Sequence, residues 1–123
     1  MGRVTRQAYA RRKGSSWETA LVRWVREVAK LPAERLRLAG FADEGDIAVT
    51  DVDGGLVYLI EAKAEAKINL SGYMNEVHVE RINYAKARGL DPETVMPIAV
   101  VKRRGYPIER AYVVCELQDF FRF

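Results

Sequence analysis

Three residues near the middle of the chain have the types and spacing to hydrolyse a phosphodiester. Glu61 and Lys63 stand two apart at the end of the largely apolar run Leu56 to Lys63, and residues two apart in a strand share a face. Val57 and Leu59 lie on that face too, so it passes from apolar side chains to a carboxylate and an ammonium, a pattern that core formation alone does not favour. Asp46 precedes a second short strand, Ile47 to Thr50, and Asp53-Gly54-Gly55 between the two runs is a hairpin signal. Asp46 therefore comes to one end of a hairpin whose partner strand carries Glu61. Two carboxylates, an adjacent strand carbonyl such as that of Ala62, and waters suit Mg2+, a hard cation that prefers oxygen. Lys63 is then placed to orient or activate a water and to offset phosphate charge.

The elements that must hold these residues follow from periodicity. Met1 to Lys13 has no apolar period and predicts a flexible basic arm, with residues 14–123 as one domain. After Gly14-Ser15-Ser16, the positions Trp17, Ala20, Leu21, Trp24, Val25 and Val28 predict an amphipathic helix that stops before Pro32. Apolar and basic residues alternate over Arg35 to Leu38, as in a short strand closed by Gly40. Ser71 to Arg88 predicts a second long helix, facing inward with Tyr73, Met74, Val77, Tyr84 and Ala85 and stopped by Gly89. Pro97 to Val101 reads as a buried strand, Lys102-Arg103-Arg104-Gly105 as a basic turn, and Ile108 to Cys115 as a returning strand before a short helix, Glu116 to Phe121. The order helix, three strands, helix, two strands (αβββαββ) predicts an α/β single domain with a central mixed five-stranded sheet flanked by helices.

Composition narrows the function. The 123 residues are 49% apolar and 30% charged, enough for one buried core. Apolar runs such as Leu56 to Ile60 fall far short of the roughly 20 residues of a membrane span, so no membrane partner is expected, and without a secretory signal the chain is expected in the cytoplasm. With one cysteine, Cys115, and one histidine, His78, no intrachain disulfide forms, no Cys/His zinc site is completed, and a Ser-His-Asp triad has only His78 to build on. Charge is strongly segregated: residues 1–40 hold ten Lys/Arg against three Asp/Glu, residues 41–80 two against nine, and residues 81–123 eight against five. Basic ends suggest a polyanionic partner, and an acidic centre is compatible with that partner when a cation is bound there. The phosphate contacts would come from Arg11, Arg12, Lys13, Lys67, Lys102, Arg103 and Arg104, with the amides of Gly14 and Ser15 at a helix N-terminus adding to them.

Gly45-Asp46, fourteen residues, then Glu61-Ala62-Lys63 resembles the PD-(D/E)XK nuclease motif, with Gly45 where the family usually has proline. Lys13-Gly14-Ser15-Ser16-Trp17-Glu18 is similar to the start of the first helix in Holliday junction resolvases of the archaeal type and their phage relatives. Asp43 to Ile47, the Asn75-to-Tyr84 helix, the Val101-to-Gly105 turn and Tyr112-Val113-Val114 followed by Leu117 to Phe121 extend the resemblance over about residues 11 to 121. It implies a restriction-endonuclease-like fold with an active site of Glu18, Asp46, Glu61 and Lys63. It implies Mg2+, with Mn2+ as a substitute and no nucleotide cofactor, held by Asp46, Glu61, the Ala62 carbonyl and Glu18. It further implies a homodimer cutting four-way DNA junctions, in a bacterial host's cytoplasm if phage-encoded.

Other readings of the same residues stand beside these. Ser15-x-x-Glu18 is also a capping box, Glu76 and Glu80, four apart on the second helix, fit either a reach toward the metal or, in preference, a solvated helix face, and Asp43, Asp51 and Asp53 fit turns. Trp17 and Trp24 suit the core, Cys115 a buried apolar position, and His78 a structural or exposed one. Phe120, Phe121 and Phe123 suit either a cap on the core or a dimer contact. A nuclease of this fold acting on duplex or single strands, or a non-catalytic DNA-binding protein, are the rival functions.

Overall fold

A computed structural model describes residues 16–36, 43–51, 53 and 55–122. The arm 1–13, the caps Gly14 and Ser15, and Gly40 lie outside the described residues. The first helix, α1, runs through residues 16–24 and passes into one π-helical turn, Val25–Ala29. Lys30 then takes a left-handed conformation (φ 60°), its amide and that of Leu31 both bonding to the Val25 carbonyl. The chain turns into β1 (Ala33–Arg35), followed by β2 (Ile47–Thr50), β3 (Val57–Lys63), the long helix α2 (Leu70–Arg88), β4 (Val95–Val101), β5 (Tyr112–Val114) and the short helix α3 (Leu117–Phe120).

The five strands form one sheet in the order β1-β2-β3-β4-β5, antiparallel except for the β3–β4 pair, whose parallel connection contains α2. Side-chain alternation sorts the sheet into two faces. Ile47, Val49, Ile60, Ala62, Met96, Ile98 and Val100 pack with Trp17, Leu21 and Val22 of α1. Ala48, Leu59 and Val95 pack on Tyr84 and Ala85, and Ala99 and Val101 on Tyr73, Met74 and Val77, all of α2. Trp17 is core, its indole N–H donating to the Val100 carbonyl at 3.2 Å. On β3 this alternation sends Ile60 and Ala62 toward α1, and Glu61 and Lys63 toward α2.

The α/β class, the mixed sheet and the element order match the sequence-based expectation, whereas three strand boundaries move. The first strand is Ala33–Arg35, starting ahead of the expected Arg35, because its register is set by β2: Ala33 pairs with Val49, and main-chain bonds extend from Pro32 (to Thr50) to Leu36 (to Asp46), while Arg37 and Leu38 of the expected strand lie outside the described residues. The fourth begins at Val95, ahead of Pro97. The Lys102 amide bonds to Lys63 of β3, so odd-numbered residues of β4 direct their N–H groups toward β5. Pairing with β5 reaches no further than Ala99, and proline, which has no N–H, is tolerated where no partner is present. The last strand is shorter than Ile108 to Cys115, because Ile108–Arg110 closes into a 3-10 turn whose Arg110 amide bonds to the Pro107 carbonyl. Among the described residues no helix is long and apolar enough to cross a membrane.

Candidate active site

Where β2 begins, the chain must bring a carboxylate against the end of β3, and a short loop does this. Asp43 Oδ1 accepts from the Gly45 amide at 2.9 Å, the turn role expected of it. Asn83 of α2 donates to the Asp43 carbonyl at 2.8 Å, and Arg88 pairs with Glu44. Gly45 has φ +99°, and a Cβ there would sit 3.1 Å from Glu80 Oε2 and 3.3 Å from Leu59 Cδ1. A proline ring holds φ near −65°, so this backbone excludes the family's usual residue and favours glycine.

Asp46 follows with its amide on the Ile60 carbonyl at 3.1 Å and its Oδ2 accepting from the Ala62 amide at 2.8 Å. Alternate residues of a strand present N–H and C=O to the same neighbour, so the Ala62 carbonyl projects on the side where Asp46 lies. Burial first, then the adjacent Glu61, push the Asp46 carboxyl up to about 8, with Glu18 adding to the rise and the Ala62 amide opposing it. Glu61 is only 7% exposed, and burial followed by the facing Glu80 carboxyl pushes it up to about 9.

Lys63 Nζ lies 3.0 Å from Glu76 Oε2 and 3.4 Å from Glu61 Oε1, above the Tyr73 ring. Burial on its own would lower the Lys63 pKa, but Glu76, Glu61 and Glu65 outweigh it and hold the group above its ordinary value. Lys63 is therefore an ammonium, a donor and a counter-charge rather than a base.

Glu80 is the residue whose preferred solvated setting the structure overturns. Expected on a solvated face, it is 3% exposed and has a carboxyl oxygen without a hydrogen-bond partner, as does Glu61. Burial leads the rise of its carboxyl to about 7. Glu61, Glu76 and Glu80 offer donor oxygens within 4.8 Å of one another. The signal was in the helix spacing: Tyr73, Val77, Glu80 and Tyr84 follow one another at intervals of four, three and four, so Glu80 occupies a position in the buried stripe. Glu76, by contrast, is exposed as expected, although it is tied to Lys63.

Glu18 arrives from α1. Its Oε2 accepts from Arg35 Nη2 at 2.6 Å, while Arg35 Nη1 donates to Thr19 at 3.0 Å. Arg35, which the sequence reading treated only as a strand residue, thus orients this carboxylate toward the Asp46 end of the sheet. The proposed cap partner Ser15 lies outside the described residues, as do Arg11, Arg12, Lys13 and Gly14. Of the other basic candidates, Lys67, Lys102 and Arg104 are exposed and Arg103 half-buried. Lys102, Arg103 and Arg104 line a cleft of about 450 Å3 with Ala64 and Glu65, just past Lys63. The Arg103 guanidinium carbon lies over the Tyr106 and Tyr112 rings, at 3.7 and 4.3 Å from their centroids.

The arrangement has the donor chemistry to hold a cation. The buried Glu61 and Glu80, each with an unpartnered oxygen, and the half-buried Asp46 oppose their own ionisation, and a divalent cation would relieve that repulsion with the oxygen ligands it prefers. Comparison with family models finds no match to this chain, and comparison with curated proteins finds none either. Among solved structures the fold is that of a resolvase, a restriction-endonuclease-like α/β domain. One similar structure is Hjc, a Holliday junction resolvase from the archaeal hyperthermophile Archaeoglobus fulgidus, with TM-score 0.53 and 19% identity over 84% of this chain and 88% of that one.

Proposed function

We propose that this chain is a metal-dependent endodeoxyribonuclease that nicks four-way DNA junctions symmetrically, residues 14–123 forming the nuclease domain and residues 1–13 a DNA-contacting arm. The observation that carries the reading is the meeting of Asp46, Glu61 and Lys63 at one end of the β2–β3 hairpin, within a resolvase-like fold. Asp46, Glu61 and the Ala62 carbonyl, assisted by Glu18, would hold Mg2+, with Mn2+ able to substitute. Such an ion supplies a more acidic water and neutralises charge on the scissile phosphate.

The chain's own groups do the rest. Lys63, kept protonated by its carboxylate neighbours, orients the attacking water and offsets negative charge as the phosphorus gains a fifth oxygen. Arg35 holds Glu18, whose charge bears on Asp46. Lys67, Lys102, Arg103 and Arg104, with Arg11, Arg12, Lys13, Gly14 and Ser15, contact phosphates along the approach. No base-reading element is invoked, so selectivity rests on junction shape and phosphate positions. One chain carries one site and symmetric nicking needs two, so the active form is a two-fold homodimer. The phage-like sequence resemblance favours recombining or replicating phage DNA as the target, in a bacterial host's cytoplasm if the chain is phage-encoded.

The test is cleavage of end-labelled four-way junction, matched duplex and single strand, with Mg2+ or EDTA, by wild type and Asp46→Asn. Paired nicks in the junction alone, abolished by EDTA and by Asp46→Asn, are expected. Equal cutting of duplex would reassign the substrate, and tight junction binding without cutting under Mg2+ or Mn2+ would leave a binding protein.

A further inference from the structure

The short helix α3 is built inside out. Leu117, Phe120 and Phe121, in and just after it, are 75%, 59% and 81% exposed, while Asp119 is 1% exposed. Burial of apolar surface does not select that orientation, so something must hold the aspartate inward. One oxygen, Oδ1, accepts from Arg122 at 2.8 Å, and Oδ2 has no hydrogen-bond partner. Beside it, His78 Nε2 of α2 lies 2.8 Å from Glu116 Oε1, yet His78 Nε2 makes no aligned hydrogen bond there. Gln118 also donates to that Glu116 oxygen at 2.8 Å.

Donor atoms of His78, Glu116 and Asp119 all lie within 4.8 Å of one another. The buried Asp119 Oδ2 and the His78 Nε2, neither with an aligned hydrogen bond, are the atoms this cluster leaves open to a cation. The cluster is separate from the Asp46 site. His78 is two residues from both Glu76 and Glu80, about 200° around the helix, and α3 follows β5 in the chain, the strand at the opposite sheet edge from β1.

We propose that His78, Glu116 and Asp119 form a second metal site, for a transition-metal dication of the Zn2+, Co2+ and Mn2+ group rather than Mg2+, which pins α3 to α2. The imidazole sets the preference, because nitrogen ligands suit those ions and Mg2+ takes oxygen. Three protein ligands leave a remaining position for water.

The experiment titrates Zn2+, and in parallel Co2+ with its d–d absorption, into the chelator-stripped full chain. The proteins are wild type, Asp46→Asn/Glu61→Gln, and His78→Gln. One Zn2+ equivalent that survives in Asp46→Asn/Glu61→Gln, raises its melting temperature and weakens roughly tenfold or more in His78→Gln is expected. Absence of saturable Zn2+ binding once the Asp46 site is silenced overturns the proposal, as does unchanged binding by His78→Gln. Should His78→Gln lose its fold by circular dichroism, Glu116→Gln, at a half-exposed position, gives the same reading. Junction cleavage under Mg2+ is independent of this site, so its failure would refute the proposed function and leave this one standing.

Discussion

Replacing Glu80 by glutamine removes one charge from the buried carboxyl group while keeping an amide that can donate to Glu61. Burial raises the Glu80 carboxyl from 4.5 to about 7 in the folded chain, so the folded protein retains a proton that the unfolded chain loses earlier. The contribution of this group to stability is complete below about pH 4.5, falls as pH rises to about 7, and is constant beyond. At 1.36 kcal/mol per unit the loss is about 3 kcal/mol. Because Glu61 and Glu80 titrate together, deleting one charge recovers about 1–3 kcal/mol. For a chain of this size that is a melting temperature higher by roughly 4–12 °C. Glu80→Gln should therefore outlast wild type by that margin in EDTA at about pH 8 and match it at about pH 4, measured by circular dichroism melts. Saturating Mn2+ should narrow the gap, because wild type gains more from the ion, and calorimetry should show affinity for it reduced about 10- to 100-fold in Glu80→Gln. A variant that melts at or below wild type at about pH 8, or a gap of equal size at about pH 4, would refute the electrostatic account.

Gly45→Ala should cost about 1–3 kcal/mol in denaturant unfolding, from the positive φ and the 3.1 Å approach of Glu80. Gly45→Pro, although it restores the family residue, should cost more; equal stability in either variant would contradict the loop geometry. Arg103→Ala should weaken binding to four-way junction and to duplex alike and lower the salt slope of log K by about 1, read by fluorescence anisotropy across salt concentrations. Glu18→Gln keeps a neutral acceptor for Arg35, so stability should change by less than about 1 kcal/mol while junction cleavage falls; unchanged stability with intact cleavage would return Glu18 to a capping role, which glutamine also fills.

The hairpin that unites Asp46 with Glu61 was legible because its information is local: a turn signal fixes how two short strands fold back, and a period of two decides which side chains share a face. Arg35 was not, because its meeting with Glu18 depends on how α1 docks on the sheet, which no spacing within either segment encodes. The first and last strands moved for a related reason. Edge strands of three residues carry little pattern of their own, and their limits are set by where β2 and β4 present free hydrogen-bonding groups.

Glu80 is a different kind of miss. Its helix was placed correctly, but pairing it with Glu76 at an interval of four suggested an ionic surface face, whereas its interval from Val77 and Tyr84 puts it in the buried stripe. The two registers differ by only about 40° on the helix, and the apolar neighbours decide between them. A carboxylate in a stripe that packing would fill with an apolar side chain is retained against its desolvation cost. The same reasoning singles out Asp119, whose burial on a helix that exposes its apolar residues is the more costly of two orientations without a ligand. Acids in core positions are therefore the residues most worth testing with metal, ahead of the more numerous acids in turns.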